Sequence, residues 1–287
     1  MSQSPEHAPA PKPPRIRSYV AVGDSFTEGL DDAYPADSPR AGTYRGWADL
    51  VAARLAAMDT GGSAAAGDET GADEKEPFRY ANLAVRGKLI GQILRDQVPA
   101  AATMGADLVT LAGGLNDVMR PGCDIEVVCA DLARCADTLA AQSGTVVMFR
   151  SMDFSRRMKS SARLVPKVAR LIAVVDDMAE QYGVIRVDLA SATVFDDPRL
   201  WAVDRIHLSA EGHRRVAEAV LEALGHPATF DWRAPLPARD QPGRVAQTGA
   251  DLVWLATFLT PWVKRRLTGK SSGDGIPAKR PDLTPLD

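Results

Sequence analysis

The sequence predicts an α/β fold, a three-layer α/β/α sandwich in which a five-stranded parallel sheet lies between two layers of helices. Three observations predict it: short apolar stretches rich in β-branched residues recur, stretches with helical periodicity separate them, and polar turns follow several of them. This alternation is typical of βαβ units with right-handed crossovers. Five strands fit the flavodoxin-like order 2-1-3-4-5, in which ligands bind at the switch point beside strand one.

The composition is ordinary for a soluble globular protein. The chain has 287 residues, of which 45% are hydrophobic and 25% charged, with a net charge of -3. Nucleic-acid binding would require a basic surface, so we expect none. Cys123, Cys129 and Cys135 contain no Cys-x-x-Cys pair and predict neither a zinc site nor a disulfide framework. We find no signal peptide and no apolar stretch of about 18 residues, and therefore expect a cytoplasmic protein.

The first predicted strand carries the strongest signal. Residues 19–22 (Tyr-Val-Ala-Val) suit a strand that is buried on both faces, and Gly23 ends it. Asp24 and Ser25 follow at its carboxyl end, where ligands of open α/β sheets bind. A nucleophile would be useful at this position. Gly, Asp and Ser are also common turn residues, so this motif alone does not decide between a site and a simple turn.

The other elements follow from the same periodicity. Short apolar stretches predict strands two to five at residues 78–83, 107–111, 145–149 and 184–189. Helical spacing predicts helices at about 43–58, from 89, and at 125–142, 162–182 and 209–225. Ser209 is a good N-cap residue for the last of these helices.

The sequence predicts one domain at residues 17–225, with a mobile loop inside it and a further segment on either side. Pro-rich residues 1–16 predict a flexible leader, and residues 59–77, which lack large apolar side chains, predict a mobile loop. Residues 226–287 predict a C-terminal extension with an amphipathic helix at about 249–267 and a disordered tail. This helix has an aromatic face and a basic end. We favour packing on the domain or a second subunit, with a peripheral membrane surface as the alternative.

A serine becomes a good nucleophile only when a positioned base takes its proton. Of the four histidines, His207 is the one that follows a predicted strand, at the carboxyl edge of the sheet. Asp204 precedes it by three residues, close enough to orient the imidazole. His213 is predicted to lie inside the last helix, where a structural role is more common. Taken alone, Asp204 and His207 fit a surface or capping pair better than a catalytic one.

Acyl transfer also needs hydrogen-bond donors that face the developing oxyanion. Gly87 follows strand two, and its N–H is accessible because no side chain intervenes. Asn116 follows strand three and offers a side-chain amide, and the N–H of Ser25 would be a third donor. Each residue is individually ordinary for a loop. Together, however, four strand ends each supply a residue type that acyl transfer requires.

These residues resemble the motifs of the SGNH hydrolases, also called GDSL esterases and lipases. Four blocks match in order: residues 23–29 (Gly-Asp-Ser-Phe-Thr-Glu-Gly), 82–87 (Asn-Leu-Ala-Val-Arg-Gly), 114–117 (Gly-Leu-Asn-Asp) and 204–207 (Asp-Arg-Ile-His). The resemblance covers about residues 17–225, and four ordered blocks are a specific signal.

The resemblance implies a catalytic triad, in which Ser25 is the nucleophile, His207 the base and Asp204 the residue that orients it. It also implies an oxyanion hole made by the N–H groups of Ser25 and Gly87 and the side chain of Asn116. No cofactor and no metal ion is implied.

Other classes of hydrolase fit less well. The α/β-hydrolase elbow requires Gly-x-Ser-x-Gly, and Thr27 occupies its last position here. A metal hydrolase would need clustered ligands that the sequence lacks. Three functions remain: a serine esterase that hydrolyses carboxylic acyl esters, an acyltransferase that uses the same site on a sugar or lipid hydroxyl, and a non-catalytic binding protein. The complete set of residues favours an enzyme.

The expected partner is a small-molecule acyl ester of undetermined chain length. We expect Arg45, Gly46 and Trp47, together with the loop at residues 30–40, to border the pocket for its acyl group.

Overall fold

The computed structural model describes residues 15–61, 76–157, 159–238 and 271–286, together with Trp254 and Thr257. The predicted leader, mobile loop and amphipathic helix fall largely outside these residues, at 1–14, 62–75 and 239–270. No helix in the described ranges is both long and apolar enough to cross a membrane.

The described residues form a six-stranded sheet. Its strands are β1 (Ser18–Val22), β2 (Arg79–Asn82), β3 (Leu108–Leu111), β4 (Thr145–Arg150), β5 (Ile185–Asp188) and β6 (Arg280–Pro285). Their order is β5-β4-β3-β1-β2-β6, with β1 to β5 parallel and β6 antiparallel to β2. The predicted α/β class and the order 2-1-3-4-5 are confirmed, whereas the predicted number of five strands was wrong.

The sixth strand lies in the segment that the sequence predicts to be a disordered tail. It pairs Asn82 with Arg280 and Arg79 with Pro285, on the outer edge of β2. Pro281 and Pro285 lack the N–H of a ladder hydrogen bond and gave the segment the appearance of a loop. An edge strand tolerates proline because one of its sides has no partner strand. The prediction of a disordered tail was therefore wrong for these residues.

Helices cover both faces of the sheet. They are α1 (Ser25–Glu28), α2 (Gly46–Gly61), α3 (Ile90–Asp96), α4 (Val98–Met104), α5 (Leu115–Val118), α6 (Ile125–Gln142), α7 (Val165–Tyr182) and α8 (Ala210–Ala223). Short 3-10 helices lie at Phe154–Arg156, Lys159–Leu164, Thr193–Asp196 and Pro198–Leu200.

Strand β1 separates two hydrophobic cores. Because side chains alternate along a strand, Tyr19 and Ala21 enter one core and Val20 and Val22 enter the other. The first core also contains the apolar faces of α2 and α8, and the second those of α3, α4, α6 and α7. All four side chains are 0% exposed. This burial fixes the position of the turn that follows β1.

Packing continues beyond residue 225, where the sequence predicts the domain to end. Trp232 is buried, and its Nε1 donates a hydrogen bond to Glu222 (3.0 Å). Arg215 of α8 donates hydrogen bonds to the carbonyl oxygens of Trp232 (2.6 Å) and Ala234 (2.7 Å). The start of the predicted C-terminal extension therefore packs on α8.

Lys279, directly before β6, reaches beneath the end of α1. Its ammonium donates hydrogen bonds to the carbonyl oxygens of Glu28 (2.8 Å), Tyr44 (2.9 Å) and Arg45 (2.8 Å). It also forms an ion pair with Asp49 at 2.8 Å. Burial lowers the pKa of Lys279 below its ordinary value, although Asp49 opposes this shift. Through these contacts of Lys279, the C-terminal segment stabilises the position of the turn that carries Ser25.

His213 of α8 has a structural position, in agreement with its predicted place inside a helix. Its Nε2 lies 3.1 Å from the carbonyl oxygen of Leu30, and its Nδ1 lies 3.3 Å from the backbone nitrogen of Trp47. These partners select the neutral tautomer, in which Nε2–H donates and Nδ1 accepts. Burial lowers the pKa of His213 to about 4.

This buried imidazole is expected to make the protein sensitive to acid. The unfolded chain binds a proton on His213 near pH 6.5, whereas the folded chain does so only near pH 4. The free energy of unfolding should therefore fall as the pH is lowered through this window, by up to ~3 kcal/mol from this group. In urea unfolding, His213→Gln should be less stable than wild type at pH 7.5, and the gap should narrow towards pH 4. A gap independent of pH would contradict this assignment.

Candidate active site

Ser25 is the first residue of α1, directly after β1 and its turn. Gly23 is required there because a Cβ would lie 2.6 Å from the carbonyl oxygen of Ala112. The side chain of Gln97 holds both backbone groups of Gly23, accepting from its N–H and donating to its carbonyl at 2.9 Å each. The Asp24 carboxylate caps α1 by accepting from the N–H of Phe26 (3.1 Å). The position of Ser25 is thus determined by a buried strand and a fixed turn.

His207 connects Ser25 with Asp204. The Nε2 of His207 lies 3.0 Å from the Oγ of Ser25, and its Nδ1 lies 2.5 Å from Oδ2 of Asp204. The other oxygen of Asp204 accepts from the N–H groups of Ile206 (2.9 Å) and His207 (3.0 Å). Burial opposes ionisation of Asp204, but these hydrogen bonds outweigh it and lower its pKa. A carboxylate therefore faces the imidazole.

Gly87 and Asn116 lie at the same cavity as Ser25. Gly87 has a φ of +72°, a conformation that favours glycine. The amide of Asn116 donates to Asp24 (2.9 Å) and to the carbonyl oxygen of Lys88 (3.1 Å). Both amide hydrogens thus have acceptors here. An oxyanion bound by this amide would have to share one of the two amide hydrogens with the carboxylate of Asp24 or the carbonyl oxygen of Lys88.

Glu28 and Arg86 belong to the first and second sequence blocks, and a contact between them connects these blocks at a distance from the reacting atoms. Glu28 is 5% exposed and forms an ion pair with Arg86. Its carboxylate also accepts from the backbone N–H of Arg86 (2.7 Å). This contact fixes the loop that leads to Gly87 against the end of α1.

Asp31 lies near the site, in the loop at residues 30–40, although it was not predicted to be a site residue. One of its carboxylate oxygens lies 3.6 Å from Nδ1 of His207. Burial, and then the charge of Asp204, raises the pKa of Asp31. These three side chains are close enough to be considered as metal ligands. However, the hydrogen bond between His207 and Asp204 occupies the nitrogen and oxygen that an ion would need. The left-handed φ of Asp31 (71°) has no sequence signal.

The C-terminal segment also contributes to the site, beyond the end of the predicted domain. The indole N–H of Trp254 donates to the carbonyl oxygen of Asp204 at 2.8 Å. Ser271 and Ser272 line the cavity, and a Cβ on Gly87 would lie 2.2 Å from the Oγ of Ser271. Trp254 belongs to the aromatic face of the helix predicted at about 249–267, whereas no sequence motif marks Ser271 or Ser272.

A cavity of about 960 Å³ opens at Ser25 and His207. Leu30 and Asp31 line it, as expected for the loop at residues 30–40. The expectation for Arg45, Gly46 and Trp47 was wrong, since none of them is among the lining residues. Trp47 is 0% exposed and packs against Phe26 and Phe149 (ring centroids 5.5 and 5.0 Å apart), so it supports the wall from behind.

A three-layer sandwich with a serine, a histidine and a carboxylate at the carboxyl edge of its sheet has the features of an ester hydrolase of the SGNH class. Comparison with known families agrees with this class. Residues 21–215, well over half of the chain, match the model of the GDSL-like lipase/acylhydrolase family, and the chain belongs to that family. It is therefore an ester-hydrolysing enzyme. No curated protein matches this chain significantly.

Solved structures share the fold at low sequence identity. A catalytic mutant of Axe2, an acetylxylan esterase from Geobacillus stearothermophilus, has a TM-score of 0.56 and 18% identity over 76% of this chain and 99% of its own. An α/β hydrolase enzyme from the metagenome of Lake Arreo has a TM-score of 0.55 and 20% identity, covering 73% and 96%. A psychrotrophic esterase from Pseudoalteromonas sp. has a TM-score of 0.53 and 11% identity, covering 73% and 97%.

Proposed function

We propose that the chain is a serine esterase that hydrolyses carboxylic acyl esters of small molecules through an acyl-enzyme on Ser25. One observation carries the proposal: Ser25, His207 and Asp204 form a continuous series of contacts, 3.0 Å and then 2.5 Å long. Nucleophilic catalysis by serine requires such a series, because the base must reach the hydroxyl and must itself be oriented.

In the first half of the reaction, Nε2 of His207 takes the proton of Ser25 as Oγ attacks the acyl carbonyl. Asp204 holds the ring so that Nε2 is the unprotonated nitrogen, and it stabilises the imidazolium that forms. His207 then gives this proton to the leaving alcohol oxygen. The acyl group remains on Ser25 as an ester.

In the second half, water takes the place of the alcohol. His207 removes a proton from this water, the hydroxyl attacks the acyl carbon, and the proton returns to Oγ of Ser25 as the carboxylic acid leaves. In each half, the negative oxygen would accept from the N–H groups of Ser25 and Gly87 and from Asn116. Donors of this kind each contribute roughly 10²- to 10³-fold to kcat.

The test combines labelling with turnover. We expect a fluorophosphonate to modify the wild-type protein once, at Ser25, and p-nitrophenyl acetate to be hydrolysed. Ser25→Ala should lose both, because it removes the hydroxyl that lies 3.0 Å from Nε2 of His207. Ser191→Ala is the control, since Ser191 is exposed and is not among the residues that line the cavity, and it should keep both. Labelling or turnover that survives Ser25→Ala would reject Ser25 as the nucleophile.

A further inference from the structure

A second carboxylate faces the imidazole of His207. Oδ2 of Asp31 lies 3.6 Å from Nδ1 of His207, the nitrogen that contacts Asp204 at 2.5 Å. One polar atom from each of the three side chains lies within 4.8 Å of the other two. Two carboxylates this close repel each other unless a positive charge lies between them. The imidazolium that forms during the reaction would supply that charge.

The fold holds Asp31 at this place through both of its neighbours. The carbonyl oxygen of Leu30 lies 3.1 Å from Nε2 of the buried, neutral imidazole of His213. The buried carboxylate of Asp32 accepts two hydrogen bonds from Arg45, each 3.1 Å long. Between them, Asp31 has a φ of 71°, a conformation that is uncommon for residues with a side chain but enriched for asparagine and aspartate. The backbone that directs this carboxylate at the imidazole is therefore fixed on both sides.

The charges around Asp31 come from two other loops. Asp204 and His207 face it from the loop before α8, and Arg86 faces it from the loop after β2. Burial and the charge of Asp204 raise the pKa of Asp31, whereas His207 and Arg86 oppose this shift. Arg86 already has a carboxylate partner, because it forms an ion pair with Glu28. The cation that gains most from Asp31 is therefore the imidazolium of His207.

We propose that Asp31 is a second acidic partner of His207, which stabilises the imidazolium together with Asp204 and accepts the hydrogen of Nδ1 when the carboxylate of Asp204 is absent. This inference rests on the proposed function, since the imidazolium forms when His207 takes the proton of Ser25. Asp31 acts through His207 and is therefore a positioning residue. The bonds that form and break in the reaction stay the same.

The first test is the pH profile of kcat/KM for p-nitrophenyl acetate in Asp31→Asn. Asparagine removes the charge and also tolerates a left-handed backbone. Asp31 is 36% exposed, so water screens part of its charge. Its loss should lower the plateau of kcat/KM by about 3- to 10-fold and move the acid limb to lower pH by about 0.5–1 unit. The two profiles should converge at low pH, where the imidazole is protonated before the reaction begins.

A charge-matched control and three outcomes decide the result. Asp177→Asn should keep the wild-type profile, because Asp177 is exposed on α7 and is not among the residues that line the cavity. A wild-type profile in Asp31→Asn, with turnover that depends on Ser25, would overturn this proposal and leave the esterase proposal intact. A lower plateau with an unmoved acid limb would show a merely structural role and would also overturn it. Absence of turnover dependent on Ser25 would overturn both proposals.

The second test asks whether Asp31 and Asp204 serve the same nitrogen. In Asp204→Ala, Asp31 still faces Nδ1 of His207 and should preserve part of the rate. Adding Asp31→Asn to Asp204→Ala should therefore lower the plateau of kcat/KM by about 10-fold more than it does in the wild-type protein. A difference below about threefold, or no measurable turnover in folded Asp204→Ala alone, would overturn the proposal. Should Asp204→Ala fail to fold, the pH profile of Asp31→Asn decides.

Discussion

Replacing His207 with alanine should lower kcat by on the order of 10⁴- to 10⁶-fold, with little change in KM. The imidazole is the group placed to take the proton of Ser25, at 3.0 Å from its Oγ. Without it, Ser25 keeps its proton and attacks poorly. The remaining rate would come from substrate binding and from the oxyanion donors. Initial rates on a p-nitrophenyl ester would measure the loss.

The double variant Ser25→Ala/His207→Ala sharpens this test. Because the two residues act as one unit, the double variant should be no slower than the slower single variant, within about threefold. Losses that multiply would mean that Ser25 and His207 act independently, which the proposed mechanism does not allow. Thermal unfolding of each variant should match wild type within a few degrees, so that a folding defect is distinguished from a loss of chemistry.

Replacing Lys279 with alanine should lower the free energy of unfolding by about 3–5 kcal/mol. The variant leaves the carboxylate of Asp49, which is 6% exposed, without its cation. Tyr34 and Tyr80 still donate hydrogen bonds to this carboxylate, at 2.7 and 2.8 Å, but neither carries a positive charge. Tm should fall by about 2–4 °C for each kcal/mol. Urea and thermal unfolding would measure both quantities.

Two further variants separate the buried ion pair from a general effect of removing a lysine. Lys88→Ala breaks a more exposed ion pair with Asp96 and should change stability by less than about 1 kcal/mol. Asp49→Asn/Lys279→Met removes both charges and should recover much of the stability lost in Lys279→Ala, because the cost arises mainly from the unpaired carboxylate. If the double variant is as unstable as Lys279→Ala, the lost stability does not come from the unpaired carboxylate of Asp49. It then comes from the other contacts of the lysine side chain.

The order of the five parallel strands could be predicted from the sequence because each is a short apolar stretch whose neighbours are helices. The proposed catalytic residues could be identified for a similar reason. Ser25, Asp204 and His207 lie directly after strands or before a helix, so the topology brings them to one edge. Residues 204–207 also form their own loop contacts, which depend little on distant parts of the chain.

The rest depends on contacts that no local pattern encodes. Strand β6 contains two prolines and forms because the outer edge of β2 is open to it. Trp47 has the size of a pocket residue, but it is placed on the buried face of α2. Asp31 reaches His207 through one left-handed backbone conformation. In each case the deciding partner is far away in sequence or is a backbone angle, and hydrophobic periodicity reports neither.

The fastening of α1 by Lys279 has a consequence for biosynthesis. Lys279 follows Glu28 by 251 residues. The turn that carries Ser25 therefore leaves the ribosome long before Lys279, which holds it in place, is synthesised. At about 5–20 residues per second, this interval is roughly 12 to 50 s. During that time the nascent chain holds the nucleophile but lacks the contact that fixes its support. Hydrolytic competence should therefore be acquired only after Lys279 has left the ribosome and has reached the end of α1.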